Sequence, residues 1–221
     1  MQKKRITGEK RRELILEAAL EVFSEKGYDG STIKKIAERA QINQGLIYQH
    51  FKNKQDLYEA ITKKFPTRWF LPSEDIGKMM SGDDDRKILK DFARCYLEVM
   101  RRNEQLVKFI NFGQLENPHL FEISPIKSDD SPLTILSNHF KKRIKKVKKF
   151  KKKRVGLAAR IFLGMIHWYG LRSFIAKAKG WEVYNEEEVL DSIVDIYLHG
   201  MIAKSGKKEK SEEKEGGLQV N

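Results

Sequence analysis

Hydrophobic residues recur along the chain at three- and four-residue spacings, and no strand-length stretch alternates apolar with polar, so an all-α protein is predicted. The first helix is expected after Thr7 as N-cap, with Ile15, Ala18, Ala19, Val22 and Phe23 on its apolar face and Gly27 just past its end. Ser31 or Thr32 caps a second helix that runs to Ala40. Asn43 caps a short third, and Asn53 a fourth over 54–65 with Leu57 and Ile61 inward. Pro66, Pro72 and the Ser81-Gly82 turn make 66–82 a connector with room for one helical turn. Asp83, Asp84 and Asp85 favour the start of a helix that runs to Arg102. A shorter helix over 104–115 ends before Pro118, and a loop leads to Pro132. Three more helices are expected over 133–150, 155–179 and 186–204.

The stretch STIKKIAERAQINQGLIYQHFKNK, residues 31–54, is two short helices joined by a break at 41–43. The second is barely two turns long and unusually polar. Such a pair is helix-turn-helix geometry, in which the second helix enters the major groove. Gln44 and Gln49 can both donate and accept, as reading base edges requires, and Gly45 lets the backbone come close. Tyr48 and His50 offer phosphates a hydroxyl and an imidazole. Lys34 can reach a guanine or a phosphate, and Lys54 brings a cation beside the free N–H groups of a helix start. Ala37, Ile42, Ile47 and Phe51 would lock the two helices together. On composition alone, a connector helix with a solvated face explains the stretch about as well.

The segment VFSEKGYDGSTIKKIAERAQINQGLIYQHFKNKQDLYEAI resembles the DNA-binding domain of tetracycline-repressor-like (TetR family) regulators over residues 9–62. The matching positions are Phe23, Gly27, Tyr28, Thr32, Ile36-Ala37, Gly45, Tyr48, His50-Phe51 and Lys54. The resemblance implies phosphate contacts at Thr32, Tyr48, His50 and Lys54, and a groove face at Lys34, Gln44 and Gly45; Asn43 and Gln49 are counted with them as DNA-binding candidates. Gln41 stands where the family usually has glycine and must accept an uncommon backbone angle. Leu46 replaces a frequent small hydroxyl residue. The layout implied is a basic arm over 1–8, a helix-turn-helix DNA-binding domain over 9–65 with its motif at about 33–52, a helical effector-binding and dimerisation domain over 66–203, and a disordered tail over 204–221.

For the remainder the family implies a homodimer through the last two long helices. Gly156, Ala159, Gly164 and Gly170 suit close helix approach, and Val189, Leu190, Ile193, Val194, Tyr197 and Met201 form an apolar stripe. A two-fold dimer reads a palindromic double-stranded operator. Phe92, Tyr96, Phe109, Phe112, Phe162, Met165, Trp168 and Tyr169 are candidates to line an effector pocket, although each taken singly fits plain core packing better. His167 is expected as a core or interface histidine, and Cys95 as a small buried one.

The formal net charge of +13 is concentrated in KKRIKKVKKFKKKR, residues 141–154, whose eleven cations meet no acid within the run. This run is either a solvated helix or an anion patch for DNA backbone or an acyl-coenzyme A-like effector. Lys3, Lys4 and Arg5 could follow a groove. With one cysteine and no apolar leader, a cytoplasmic protein is expected. No phosphate loop, metal-spaced cluster or nucleophile–base pair is apparent, so an enzyme, a metal site and a cofactor are not expected. The functional expectation is a ligand-responsive DNA-binding regulator, a repressor that releases its operator when a small hydrophobic effector binds. The competing expectation is a nonspecific or architectural nucleic-acid binder driven by the lysine run.

Overall fold

Side-chain caps decide where the helices begin. Thr7 accepts from the Lys10 amide at 3.4 Å, Thr32 from Lys35 at 3.2 Å, Asn43 from Leu46 at 2.8 Å, Asn53 from Asp56 at 2.8 Å and Asp84 from Lys87 at 3.1 Å. Each satisfies an amide that has no partner inside its own helix. The structure, a computed structural model, describes residues 7–64, 73–117, 119, 131–146, 155–181 and 183–201. The arm residues Lys3, Lys4 and Arg5, the loop around Pro118, Lys148–Arg154 of the basic run and the tail lie outside the described residues.

The described chain is all-helical. In order come α1 (Gly8–Lys26), α2 (Ile33–Arg39), α3 (Gln44–Tyr48), α4 (Lys54–Lys64), α5 (Ser73–Met79), α6 (Asp85–Arg102) and α7 (Glu104–Glu116). They are followed by α8 (Pro132–Lys146), α9 (Val155–Gly170, prolonged by a π-helical turn, Leu171–Ile175) and α10 (Glu186–Met201). Helix α5 is longer than the single turn expected of the connector, because Ile76 is buried and anchors it beside α6. Helix α9 stops short of the expected 179. The chain turns left-handed at Lys177 (φ 47°), and Trp181 folds back to 5.8 Å from Tyr169.

α1 crosses α2 and α4 on one side and α7 on the other, while α6, α8, α9 and α10 pack around one another. One hydrophobic core runs through both groups. Phe23 of α1, Tyr58 of α4 and Phe109 of α7 meet with ring centroids 4.5–6.1 Å apart, joining the N-terminal bundle to the rest. Gly113 makes this fit possible, because a Cβ there would lie 1.9 Å from the Tyr58 hydroxyl. At the other end, Phe162 and Phe140 close on Tyr197 at 4.8 and 5.6 Å.

The small residues of α9 do not share one surface. Ala159 is buried within the protomer, and Gly170 packs against Met100 and Leu97 of α6. In α10, Leu190, Val194 and Tyr197 are likewise turned inward. Their spacing reported burial in the chain's own core, which comes before any partner. The exposed apolar positions are instead Leu157, Ile161 and Trp168 of α9, with Trp168 58% exposed, and Ile196 of α10 at 68%.

Ion pairs bind α6 to α10. Arg86 bonds Asp195 and Asp191, Lys90 bonds Asp191 at 2.8 Å and Glu187 at 3.0 Å, and Arg94 takes Glu187 at 3.0 Å. Hydrogen bonds from Arg94 and then Lys90 hold the Glu187 carboxyl down at about 2. A buried group contrasts with this exposed ladder. Arg143 of α8 contacts Asp85 at 2.6 Å and Asp83 at 3.0 Å, with His139 3.5 Å from Asp85. Arg143, though part of the lysine run, is therefore occupied inside the fold, whereas Lys141 and Lys142 are exposed.

Candidate nucleic-acid interface

The turn between α2 and α3 is a Schellman closure. The Ile42 amide donates to Ala37 O at 3.0 Å and the Gln41 amide to Glu38 O at 3.2 Å, with Gln41 left-handed at φ 55°. The uncommon backbone angle expected of Gln41 is therefore present, in a position that glycine usually fills. Ala37, Ile47 and Phe51 are buried and Ile42 is half-buried, which fixes the angle between α2 and α3. Behind them, Arg39 pairs with Glu21 at 2.7 Å and Glu25 at 2.9 Å, tying α2 to α1.

With that inner face filled, polar residues are left outside. Thr32, Lys34, Asn43, Gln44, Gly45, Tyr48 and Gln49 are exposed, His50 and Lys54 are half-buried, and Tyr48 reaches 55% exposure. Thr32 and Asn43 already use a side-chain oxygen in capping, so their position relative to α2 and α3 is set before any partner arrives.

Lys54 has a second occupation that its sequence position does not reveal. Its ammonium donates to Tyr28 O at 2.7 Å and Ser31 O at 3.1 Å, and lies 4.1 Å from the Tyr28 ring centre. From the opposite side, the Glu116 carboxylate at the end of α7 accepts from the Tyr28 amide at 2.6 Å and the Asp29 amide at 3.3 Å. The left-handed Gly27 (φ 69°) leaves room for it, since a Cβ there would fall 2.1 Å from a Glu116 oxygen. The loop 27–31 is thus gripped by α4 and α7 together, immediately before the Thr32 cap. Glu116 was not foreseen from sequence, because a glutamate before Asn-Pro is indistinguishable from a solvated helix end.

A separate cavity opens in the helical body. Of about 330 Å³, it is walled by Val107, Ile110, Leu133 and Leu163, with Tyr96, Asn111, Arg160 and His167 among its polar lining. The Asn111 amide nitrogen donates to Val107 O at 2.8 Å, so its oxygen faces His167 Nε2 at 3.4 Å. Nε2 then carries the proton, and the Tyr96 hydroxyl donates to Nδ1 at 2.8 Å. Burial pushes the His167 pKa down, which favours this neutral form.

Of the expected pocket residues, only Tyr96 lines this cavity. Phe92, Phe109, Phe162 and Tyr169 are buried in the core, Met165 packs against it, Phe112 lies in a groove beside Lys108, and Trp168 points outward. Large aromatic rings fill space, and the walls of the space left over are aliphatic. His167, expected in the core or an interface, lines the cavity, and Cys95 is half-buried. The i, i+3, i+7 spacing of Arg160, Leu163 and His167 was the available signal. Among the described residues no group of three or more potential metal ligands occurs, and no helix is long and apolar enough to cross a membrane.

These features define a helix-turn-helix domain set on a helical body. Residues 15–61 match the sequence model for bacterial regulatory proteins of the tetR family. By this match residues 15–61 form a tetR-family N-terminal domain. YvkB, an uncharacterized HTH-type transcriptional regulator of Bacillus subtilis, is 32% identical over 108 residues, which are 49% of this chain and 52% of YvkB. The class D tetracycline repressor of Escherichia coli is 31% identical over 91 residues, 41% of this chain and 40% of that protein. The chain thus spans about half the length of the relatives it matches. The fold extends further than the sequence likeness. The fatty acid degradation regulator FadR of Bacillus halodurans superposes on 90% of this chain and 98% of its own with a TM-score of 0.65, at 20% identity.

Proposed function

We propose that the protein is a dimeric, ligand-responsive DNA-binding transcriptional regulator that acts as a repressor. The observation that carries this reading is the exposed polar set around α3, held by the buried inner face of Ala37, Ile47 and Phe51 and by the caps at Thr32 and Asn43. Gln44, Gly45 and Gln49 with Lys34 and Asn43 meet base edges, while Thr32, Tyr48, His50 and Lys54 hold phosphates. The exposed stripe Leu157, Ile161 and Trp168 of α9, and exposed Ile196 of α10, support a two-fold interface of these helices. Two recognition helices then sit about one DNA turn (~34 Å) apart on a palindrome. A small hydrophobic effector in the core cavity favours the geometry that misses adjacent grooves. Support for coupling comes from α7, because Val107, Ile110 and Asn111 line the cavity while Phe109, Gly113 and Glu116 of the same helix touch α1, α4 and the 27–31 loop.

Footprinting the full chain on the DNA upstream of its own gene, at low and moderate salt, tests this. A protected palindrome that survives moderate salt and is lost in Gln44→Ala is expected, since a good side chain–base pair is worth about 1–3 kcal/mol of discrimination. Protection that is diffuse, vanishes with salt and ignores Gln44 would return the function to nonspecific binding by the lysine run.

A further inference from the structure

We infer that the core cavity takes a small amphiphilic monocarboxylate of about eight to ten carbons, with its carboxylate at Arg160 and its chain toward His167. This rests on the reading above that the cavity is the effector site. Four observations lead to it. The long walls are aliphatic, from Val107, Ile110, Leu133 and Leu163, so the body of the ligand is apolar. Among the described residues no acidic side chain lines the cavity, and Arg160 makes a 3.3 Å bond to Gly156 O. That guanidinium has no carboxylate partner among the described residues, and its planar fork matches a carboxylate.

The third observation is the inner end. Tyr96, His167 and Asn111 satisfy one another, and burial keeps His167 neutral. A carboxylate placed there would be desolvated beside an uncharged ring, so the charge belongs at exposed Arg160. The fourth is size. Arg160 and His167 are seven residues apart on one face of α9, roughly 10 Å at ~1.5 Å per residue. The cavity volume of about 330 Å³ lies at the small end of ligand pockets, roughly 300–1,000 Å³.

The test is titration calorimetry of the full chain with decanoate and with decanol, on the natural protein, Arg160→Gln and Ile110→Phe, each checked for helicity by circular dichroism. Decanoate is expected to bind at least ten-fold more tightly than decanol. Arg160→Gln should remove that preference and leave decanol unchanged, and Ile110→Phe should weaken both. Equal binding of the two probes, indifferent to Arg160, overturns the carboxylate assignment, and absence of binding by either overturns the monocarboxylate class. Operator retention on the same samples separates the two readings. If decanoate binds through Arg160 but the operator is still held, the ligand assignment survives and the effector role fails.

Discussion

The N-terminal bundle and the helical body are stabilised in different ways. In the bundle, local backbone chemistry dominates: four helix caps, at Thr7, Thr32, Asn43 and Asn53, and a Schellman turn between α2 and α3. In the body, the stabilising contacts are long-range, from the Phe140–Tyr197–Phe162 stack and the buried Asp85–Arg143–His139 group to the α6–α10 ion-pair ladder. The difference fits the division of labour proposed above. A surface that must meet DNA in a set shape gains from local, pre-organised geometry. A body that must respond to a ligand gains from side chains that can repack around a cavity.

The contrast can be broken hardest in the body. Phe162→Ala removes a fully buried ring between α8 and α10 and should destabilise the protein by about 3–5 kcal/mol, read as a lowered denaturant midpoint. A mild effect there would mean the body is loosely packed. At the joint between the regions, Gly113→Ala drives a methyl group into the Tyr58 hydroxyl and should cost about 1–3 kcal/mol through overpacking. In the bundle, Asn43→Ala deletes one cap and should cost about 1 kcal/mol, with a loss of operator affinity larger than its loss of stability. If affinity and stability fell together, α3 would not be pre-organised.

Acid titration sharpens the same comparison. His139 and His167 have pKa values lowered mainly by burial, so the unfolded chain takes up protons near its usual value, about 6.5, before the folded one does. Stability should therefore fall as pH drops below that value and level off above it. For His139, nearby Asp85 opposes the shift and Arg143 adds to it, so His139→Gln should flatten part of this first phase. The ladder responds later. Glu187, Asp191 and Asp195 have lowered pKa values, caused first by hydrogen bonds from Arg94, Lys90 and Arg86 respectively, so their contribution is present above the ordinary carboxylate range and lost as pH falls below it, for Glu187 toward about 2. Salt should shrink only the second phase, because exposed pairs are screened and buried groups are not. Thermal midpoints across pH 2–8 in low and high salt check both signs.

Legibility followed the range of the interactions. Thr7, Thr32, Asn43 and Asn53 could be seen as caps because a cap and its amide are three residues apart, and the acidic run 83–85 marked a helix start in which Asp84 proves to be the cap. The left-handed angle at Gln41 could be anticipated because the turn around it is local. Glu116 could not, since its partners Tyr28 and Asp29 are far away in sequence and nothing near it signals them. Lys54 looked like a free cation because its two carbonyl partners are brought to it only by the packing of α4 on α1. The aromatic residues of the body were candidates for a pocket, yet rings of that size pack best against one another, and the cavity remained where aliphatic side chains and one arginine meet.

By itself, then, the sequence determined the all-helical class, the helix starts, the two short helices with their polar outer face, and the TetR-family character of residues 15–61. Each of these depends on residues within a few turns of one another. Which apolar stripe is buried and which is left exposed on α9, which charges are paired, and where a ligand-sized space opens were decided only when distant helices packed. Those outcomes depend on the shapes that α6, α7, α8 and α9 present to each other, and shape complementarity between remote segments leaves no periodic trace in the chain.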